Sequence, residues 1–216
     1  MKKEEAKLKA FYSAMFNAFG PQGWWPGETP FEVIIGAILT QNTSWSNVEK
    51  AIANLKKEKL LTPKRLHALK AGELAAHIRP AGYFNVKAKR LKNFLDRLFE
   101  KHGGNLSRLL KKDAPALREE LLSINGIGPE TADSIVLYAA NHPEFVVDAY
   151  TKRIFSRHKL VKIDAGYEEV KSLFTENLGP DAQVFNEYHA LIVRTGKYFC
   201  KNREPLCGSC PLKAYL

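Results

Sequence analysis

The 216 residues predict an all-α protein, and three observations carry that prediction. Apolar residues recur at helical spacing along most of the chain, prolines follow capping residues at first-turn positions, and glycines close the periodic stretches. Leu8, Phe11, Tyr12, Met15, Phe16 and Phe19 fall on one helical stripe, and Phe31, Ile34, Ile35 and Ile38 form the next. Thr62-Pro63 reads as an N-cap with proline at the first helical position, where its missing N–H is not needed, and Asp113-Ala114-Pro115 opens another helix similarly. Gly103-Gly104 should end the helix over 85–102 and Gly179-Pro180 the one over 166–178, since glycine readily takes the left-handed conformation that terminates helices. The apolar run 144–150 suits a short strand or a buried loop, which periodicity does not separate at this length. There is no internal repeat or low-complexity linker. Turn residues near Pro26 and at Asn141-His142-Pro143 mark the joints expected if the chain has two lobes.

Lys and Arg outnumber Asp and Glu by 33 to 23, a net charge of +10. Such a balance favours a polyanionic partner such as nucleic acid, although a basic protein without one has the same composition. No apolar run approaches the roughly 20 residues of a membrane span. Residues 1–10 carry Glu4 and Glu5 and lead into no apolar signal region, so the expectation is a cytoplasmic protein, nucleoid-associated if prokaryotic; a monomer is expected separately.

The densest chemistry lies in "INGIGPETADSIVLYAANHPEFVVDAY", residues 124–150. Gly126 and Gly128 permit positive φ and close backbone approach, and Pro129 starts a helix directly behind them. Free N–H groups at such a turn suit a phosphate of a nucleic-acid backbone; an ordinary helix–helix turn is the plainer alternative. With "LLSI" before the turn and "ETADSIVLYA" after it, the stretch resembles the helix-hairpin-helix of the endonuclease III superfamily of DNA glycosylases. That family places a catalytic aspartate after the apolar run that follows the hairpin, and "FVVDAYTKRIFSRH" has this shape, which implies that role for Asp148. A carboxylate suits the chemistry, because breaking an N-glycosidic bond builds positive charge on the deoxyribose. Asp148 is equally well placed as a helix N-cap, and the two roles are compatible. Bifunctional family members carry a nucleophilic lysine where this sequence has Glu130. Glutamate cannot form a Schiff base, so the resemblance implies a monofunctional glycosylase, with Lys152 as the one nearby amine that could substitute. Glu130 is kept as a second candidate catalytic residue.

Tryptophans usually belong to the core, but all three lie within the first 45 residues beside turn residues: Trp24, Trp25 and, after "LTQNTS", Trp45. Aromatic faces can stack on a flipped base, and a cationic alkylated base adds a cation–π attraction. "WWP", "LTQNT" with an aromatic, and "RPAGYFNVKAKRL" together are similar to the endonuclease III-like 3-methyladenine DNA glycosylases over about 24–157. The resemblance implies that Trp24, Trp25, Pro26 and Trp45 line the base pocket and that Gln41 fills the gap in the duplex. It also implies that Gly126, Gly128, Tyr83, Phe84, Lys87 and Arg90 contact DNA; for Lys87, Lys89 and Arg90 a solvated helix face is the alternative. Adenine glycosylases of the superfamily carry a catalytic glutamate where Ala37 stands. Mismatch-type thymine or uracil glycosylases share the aspartate mechanism and remain rivals. A non-catalytic helix-hairpin-helix DNA-binding module is a further alternative.

The three cysteines, Cys200, Cys207 and Cys210, follow C-x6-C-x2-C, close enough to suggest a metal site. The family's iron–sulfur loop is C-x6-C-x2-C-x5-C, which implies a [4Fe-4S] cluster here, yet Leu216 occupies the fourth ligand's position. A [4Fe-4S] cluster with an outside ligand, a three-iron cluster, zinc, or no metal all remain open. The resemblance further implies a two-lobed helix-hairpin-helix glycosylase fold with the DNA groove and active site between lobes. One domain would span 25–140 with the hairpin at about 121–140. The other would combine 1–24 with 141–216, including the cysteine loop 200–216. The partner implied is double-stranded DNA containing damaged bases.

Overall fold

The computed structural model describes residues 3–216, so residues 1 and 2, at the start of the expected second domain, lie outside the described residues. In order, the α-helices are α1 (Lys3–Phe19), α2 (Pro30–Leu39), α3 (Trp45–Lys57), α4 (Pro63–Ala68), α5 (Ala71–His77) and α6 (Phe84–His102). They continue as α7 (Leu106–Leu110), α8 (Ala114–Leu122), α9 (Pro129–Ser134), α10 (Ala149–Arg157), α11 (Tyr167–Thr175) and α12 (Ala182–Tyr198). No strand occurs among the described residues, and the all-α expectation holds.

Local signals act as their chemistry requires. Thr62 Oγ1 accepts from Arg65 N at 3.3 Å, and Asp113 Oδ1 accepts from Ala116 N at 2.8 Å. Gly103, at φ 62°, ends α6 with its N–H donated to Phe99 O. Helix α11 stops at Thr175, short of Gly179; Leu178 N still bonds Phe174 O, so the chain leaves through a turn before it reaches the glycine. The run 144–147 is a loop whose Phe145, Val146 and Val147 are buried, so its apolar content serves burial rather than a sheet. After α9 the backbone widens to a π-helical turn, Ile135–Ala139, which no local signal announced.

The chain divides into two compact units, Pro26–His142 and Met1–Trp25 with Pro143–Leu216. In the first, α2 is buried on all sides, with Ile34, Ile35, Ile38 and Leu39 fully enclosed against Leu91, Phe94 and Leu95 of α6 and the rest of one apolar cluster. Each such side chain contributes about 1.5–3 kcal/mol on burial. The second unit is built on aromatics: Phe145 stacks on Phe174 at 3.7 Å between centroids, with Phe155, Phe185 and Tyr188 edge-on around them. Tyr188 Oη is fully enclosed and donates to Leu8 O at 2.8 Å, which ties α1 to α12.

Candidate active site

Asp148 ends the buried 144–147 loop and caps α10 in an extended conformation. Its Oδ1 accepts two hydrogen bonds from Thr151, from N at 2.7 Å and from Oγ1 at 2.8 Å. Its Oδ2 lies 3.6 Å from His189 Nε2 of α12, an ion-pair distance rather than a direct hydrogen bond. Burial pushes the Asp148 carboxyl up, but His189 and the two Thr151 donors outweigh it and leave it below its ordinary value of 3.8. Asp148 is thus an enclosed carboxylate held ionised with one oxygen fully committed. The seat is rigid because α10 lies close on α12. Gly196 has no Cβ, and one placed there would meet the Tyr150 ring at 2.4 Å. Arg153 spans the same contact, donating Nε to Cys200 O at 2.7 Å and Nη2 to Gly196 O at 3.1 Å. Lys152 donates its Nζ to Ala165 O at 3.1 Å, so this amine is engaged with a carbonyl.

The hairpin belongs to the Pro26–His142 unit. Only Gly126 of the two glycines uses positive φ (96°), and a Cβ there would meet Arg90 Cγ at 2.4 Å. Gly128, at φ −93°, caps α9 in a conformation open to any residue, and Pro129 follows at the first helical position. Arg118 of α8 binds the fully buried Asp133 of α9 through Nε–Oδ1 at 2.6 Å and Nη2–Oδ2 at 3.4 Å, clamping the two hairpin helices. Gln41 is held at both ends of its amide: Nε2 donates to Gly126 O at 3.0 Å and Thr131 Oγ1 at 2.9 Å, and Oε1 accepts from Arg90. The Arg90 stem fills the space beside Gly126 while its guanidinium holds Gln41. Glu130 is exposed in the first turn of α9, where its carbonyl accepts from Ser134 Oγ at 2.7 Å.

Trp24 and Trp25 are half-buried and meet edge to face, with centroids 5.6 Å apart. The Trp24 Nε1 is buried without a hydrogen-bond partner in the protein. Pro26 is exposed. Trp45 packs against the core of its unit and donates Nε1 to Glu49 Oε1 at 2.8 Å. Tyr83 is 74 % exposed in a left-handed conformation (φ 45°) just before α6, a costly geometry for a tyrosine, and Phe84 tucks against the core beneath it. Lys87 departs from both readings of the basic run. Its Nζ is buried and donates to Leu39 O at 2.8 Å and Ala81 O at 2.7 Å, and burial lowers its pKa. It thereby caps the C-terminal end of α2, fixing the turn that carries Gln41.

Cys200, Cys207 and Cys210 line one cavity of about 30 Å3 together with Thr195, His158 and Leu216. No disulfide joins them. Among the described residues no three His, Cys, Asp or Glu side chains converge closely enough to hold a single metal ion. The loop is pinned to α10 by Arg157, which donates to Cys200 Sγ at 3.3 Å, Lys201 O at 2.7 Å and Asn202 O at 3.0 Å.

An all-helical fold with a glycine hairpin and a capping carboxylate after it defines a class, the helix-hairpin-helix glycosylases. Comparison narrows it: the chain belongs to the HhH-GPD superfamily of base excision DNA repair proteins, whose family model matches residues 35–180. A protein of Methanocaldococcus jannaschii provisionally named a DNA repair glycosylase is 51% identical over 206 residues, covering 94% of this chain and 93% of its own. Among solved structures, a trapped covalent endonuclease III–DNA intermediate aligns with a TM-score of 0.84 at 25% identity, over 100% of this chain and 96% of that one. A Helicobacter pylori 3-methyladenine DNA glycosylase bound to 1,N6-ethenoadenine aligns with a TM-score of 0.74 at 28% identity, over 91% and 98%. Sequence reasoning missed His189, Thr151 and the Arg90–Gln41 contact. His189 lies 41 positions from Asp148, and no local pattern links them.

Proposed function

We propose that this protein is a monofunctional DNA glycosylase that hydrolyses the N-glycosidic bond of flipped-out alkylated bases such as 3-methyladenine in double-stranded DNA and leaves an abasic site. The observation that carries this reading is an enclosed, ionised Asp148, with glutamate at position 130 and the Lys152 amine tied to Ala165 O. As the base departs, the deoxyribose gains positive charge, which the Asp148 carboxylate stabilises while also orienting the attacking water. A cationic alkylated base is already a good leaving group, so no strong general acid is needed. Trp24, Trp25, Pro26 and Trp45 would take the everted base by stacking, with a cation–π attraction that an unmodified base lacks. Gln41 would fill the vacated place in the duplex, and Gly126, Gly128, Tyr83, Phe84 and Arg90 would bind the DNA. Lys87 contributes by holding the turn beneath Gln41, and Glu130 by water or helix contacts at the hairpin. The likeness to a 3-methyladenine glycosylase supports the choice of base.

A panel of duplexes carrying 3-methyladenine, 1,N6-ethenoadenine, G:U and G:T tests the reading. Chromatography should show release of the alkylated bases first, with uncut abasic strands and no complex trapped by borohydride. Preference for G:T or G:U would favour the mismatch class instead, and a trapped complex would overturn the monofunctional assignment.

For the cysteine loop, three cysteines that line one cavity in the C-x6-C-x2-C spacing support an iron–sulfur cluster as the group held there, with zinc as the alternative. The Leu216 side chain has no donor atom, so the fourth iron would take a ligand other than a side chain of this set. The cluster would brace the loop and supply no step of base release. Anaerobically purified protein should be brown with bound iron and sulfide, and Cys207→Ser should lose the colour and lower Tm. Colourless protein with stoichiometric zinc would refute the cluster.

A further inference from the structure

We infer that His189 is a positioning residue for base release: from α12 its Nε2 fixes Oδ2 of Asp148, the carboxylate oxygen that the N-cap leaves uncommitted. The inference rests on the glycosylase reading of Asp148. Three observations converge on it. Thr151 takes Oδ1 with two donors, so the orientation of the carboxylate about its own axis is completed only by whatever meets Oδ2. His189 Nε2 is that neighbour, at 3.6 Å, and both side chains are almost wholly enclosed, with 6% of the histidine side chain and 13% of the aspartate side chain exposed. Finally, the spacing of the two helices that carry them is set by side chains of α10 that lie directly on the backbone at the end of α12. Tyr150 lies on Gly196, and Arg153 reaches the Gly196 and Cys200 carbonyls, so α10 cannot slide along α12 without breaking these contacts. A carboxylate that faces a developing cation must keep both its orientation and its charge, and an enclosed imidazole edge at ion-pair distance from Oδ2 favours both.

His189→Ala and His189→Gln separate positioning from mere packing, because glutamine restores an N–H donor without a titratable ring. Single-turnover release of 3-methyladenine should fall on the order of 10- to 100-fold in the alanine variant, the scale typical of an orienting partner. The glutamine variant should recover most of that loss, and affinity for abasic-analogue duplex, read by fluorescence anisotropy, should stay within about twofold of wild type on the same argument. Equal losses in both variants, or an unchanged rate in the alanine variant, would overturn the inference. A second arm does not depend on the lesion chosen. Long-range 1H–15N spectra of the His189 ring should shift in Asp148→Asn, in which the charge facing Nε2 is gone. If wild type releases no base from any duplex, the glycosylase reading fails, while this spectral shift still decides whether the pair exists. No shift means that Asp148 and His189 are not coupled, and the inference falls.

Discussion

Asp148→Asn should reduce single-turnover base release by on the order of 10³-fold while leaving DNA affinity and melting temperature nearly unchanged. The separation is possible because asparagine is as good an N-cap as aspartate. Its side-chain oxygen can still accept from Thr151 N and Oγ1, the bonds that now engage Oδ1. What disappears is the negative charge, and with it the stabilisation of a sugar turning cationic. Base release retained in the variant would reduce Asp148 to a cap, whereas wild type that binds DNA and releases no base would make the protein a binding module. The charge also sets a pH limit. Because the folded carboxyl sits below 3.8, Asp148 stays ionised down to that region, so it should impose no acidic limb on the rate above it. The sign for stability is the same: its contribution is complete above the unfolded value of about 3.9 and is lost as pH falls through the folded one.

Arg118→Ala should destabilise the protein by about 3–5 kcal/mol, a drop in Tm on the order of 10 °C for a chain of this size. Asp133 is fully buried, and the guanidinium of Arg118 reaches both of its oxygens, so truncation leaves an enclosed carboxylate short of its bidentate partner. Since these residues clamp α8 to α9, DNA affinity should weaken along with stability. Arg118→Lys should recover only part of the loss, because an ammonium cannot form the same planar fork. Adding Asp133→Asn to Arg118→Ala should restore stability relative to the single variant, and thermal melts of all four proteins would reveal a missing coupling if there is none.

Most of the helices could be read from the chain, because their start and stop chemistry is local: Thr62, Asp113 and Gly103 act where the sequence places them. The candidate site was legible where its parts are contiguous, as in the hairpin at 126–129 and the aspartate after the apolar run. It was illegible where roles depend on distant partners. Lys87 in a basic run looks like surface, and only the tertiary fold brings the carbonyls of Leu39 and Ala81 to its ammonium. Arg90 likewise bears on Gln41 and Gly126 rather than on solvent alone. His189 had no signal at all, since a lone histidine in an amphipathic helix resembles ordinary core filling. The end of α11 was misplaced because a non-glycine turn closed it first.

The guanidinium forks of Arg153 and Arg157 grip the last stretch of chain mainly by peptide oxygens, at Cys200, Lys201 and Asn202. Every amino acid presents the same peptide oxygen, so mutational drift can rewrite the side chains of Lys201 and Asn202 without loss of these bonds. Evolution is therefore freer to change those two side chains than the arginine that grips them.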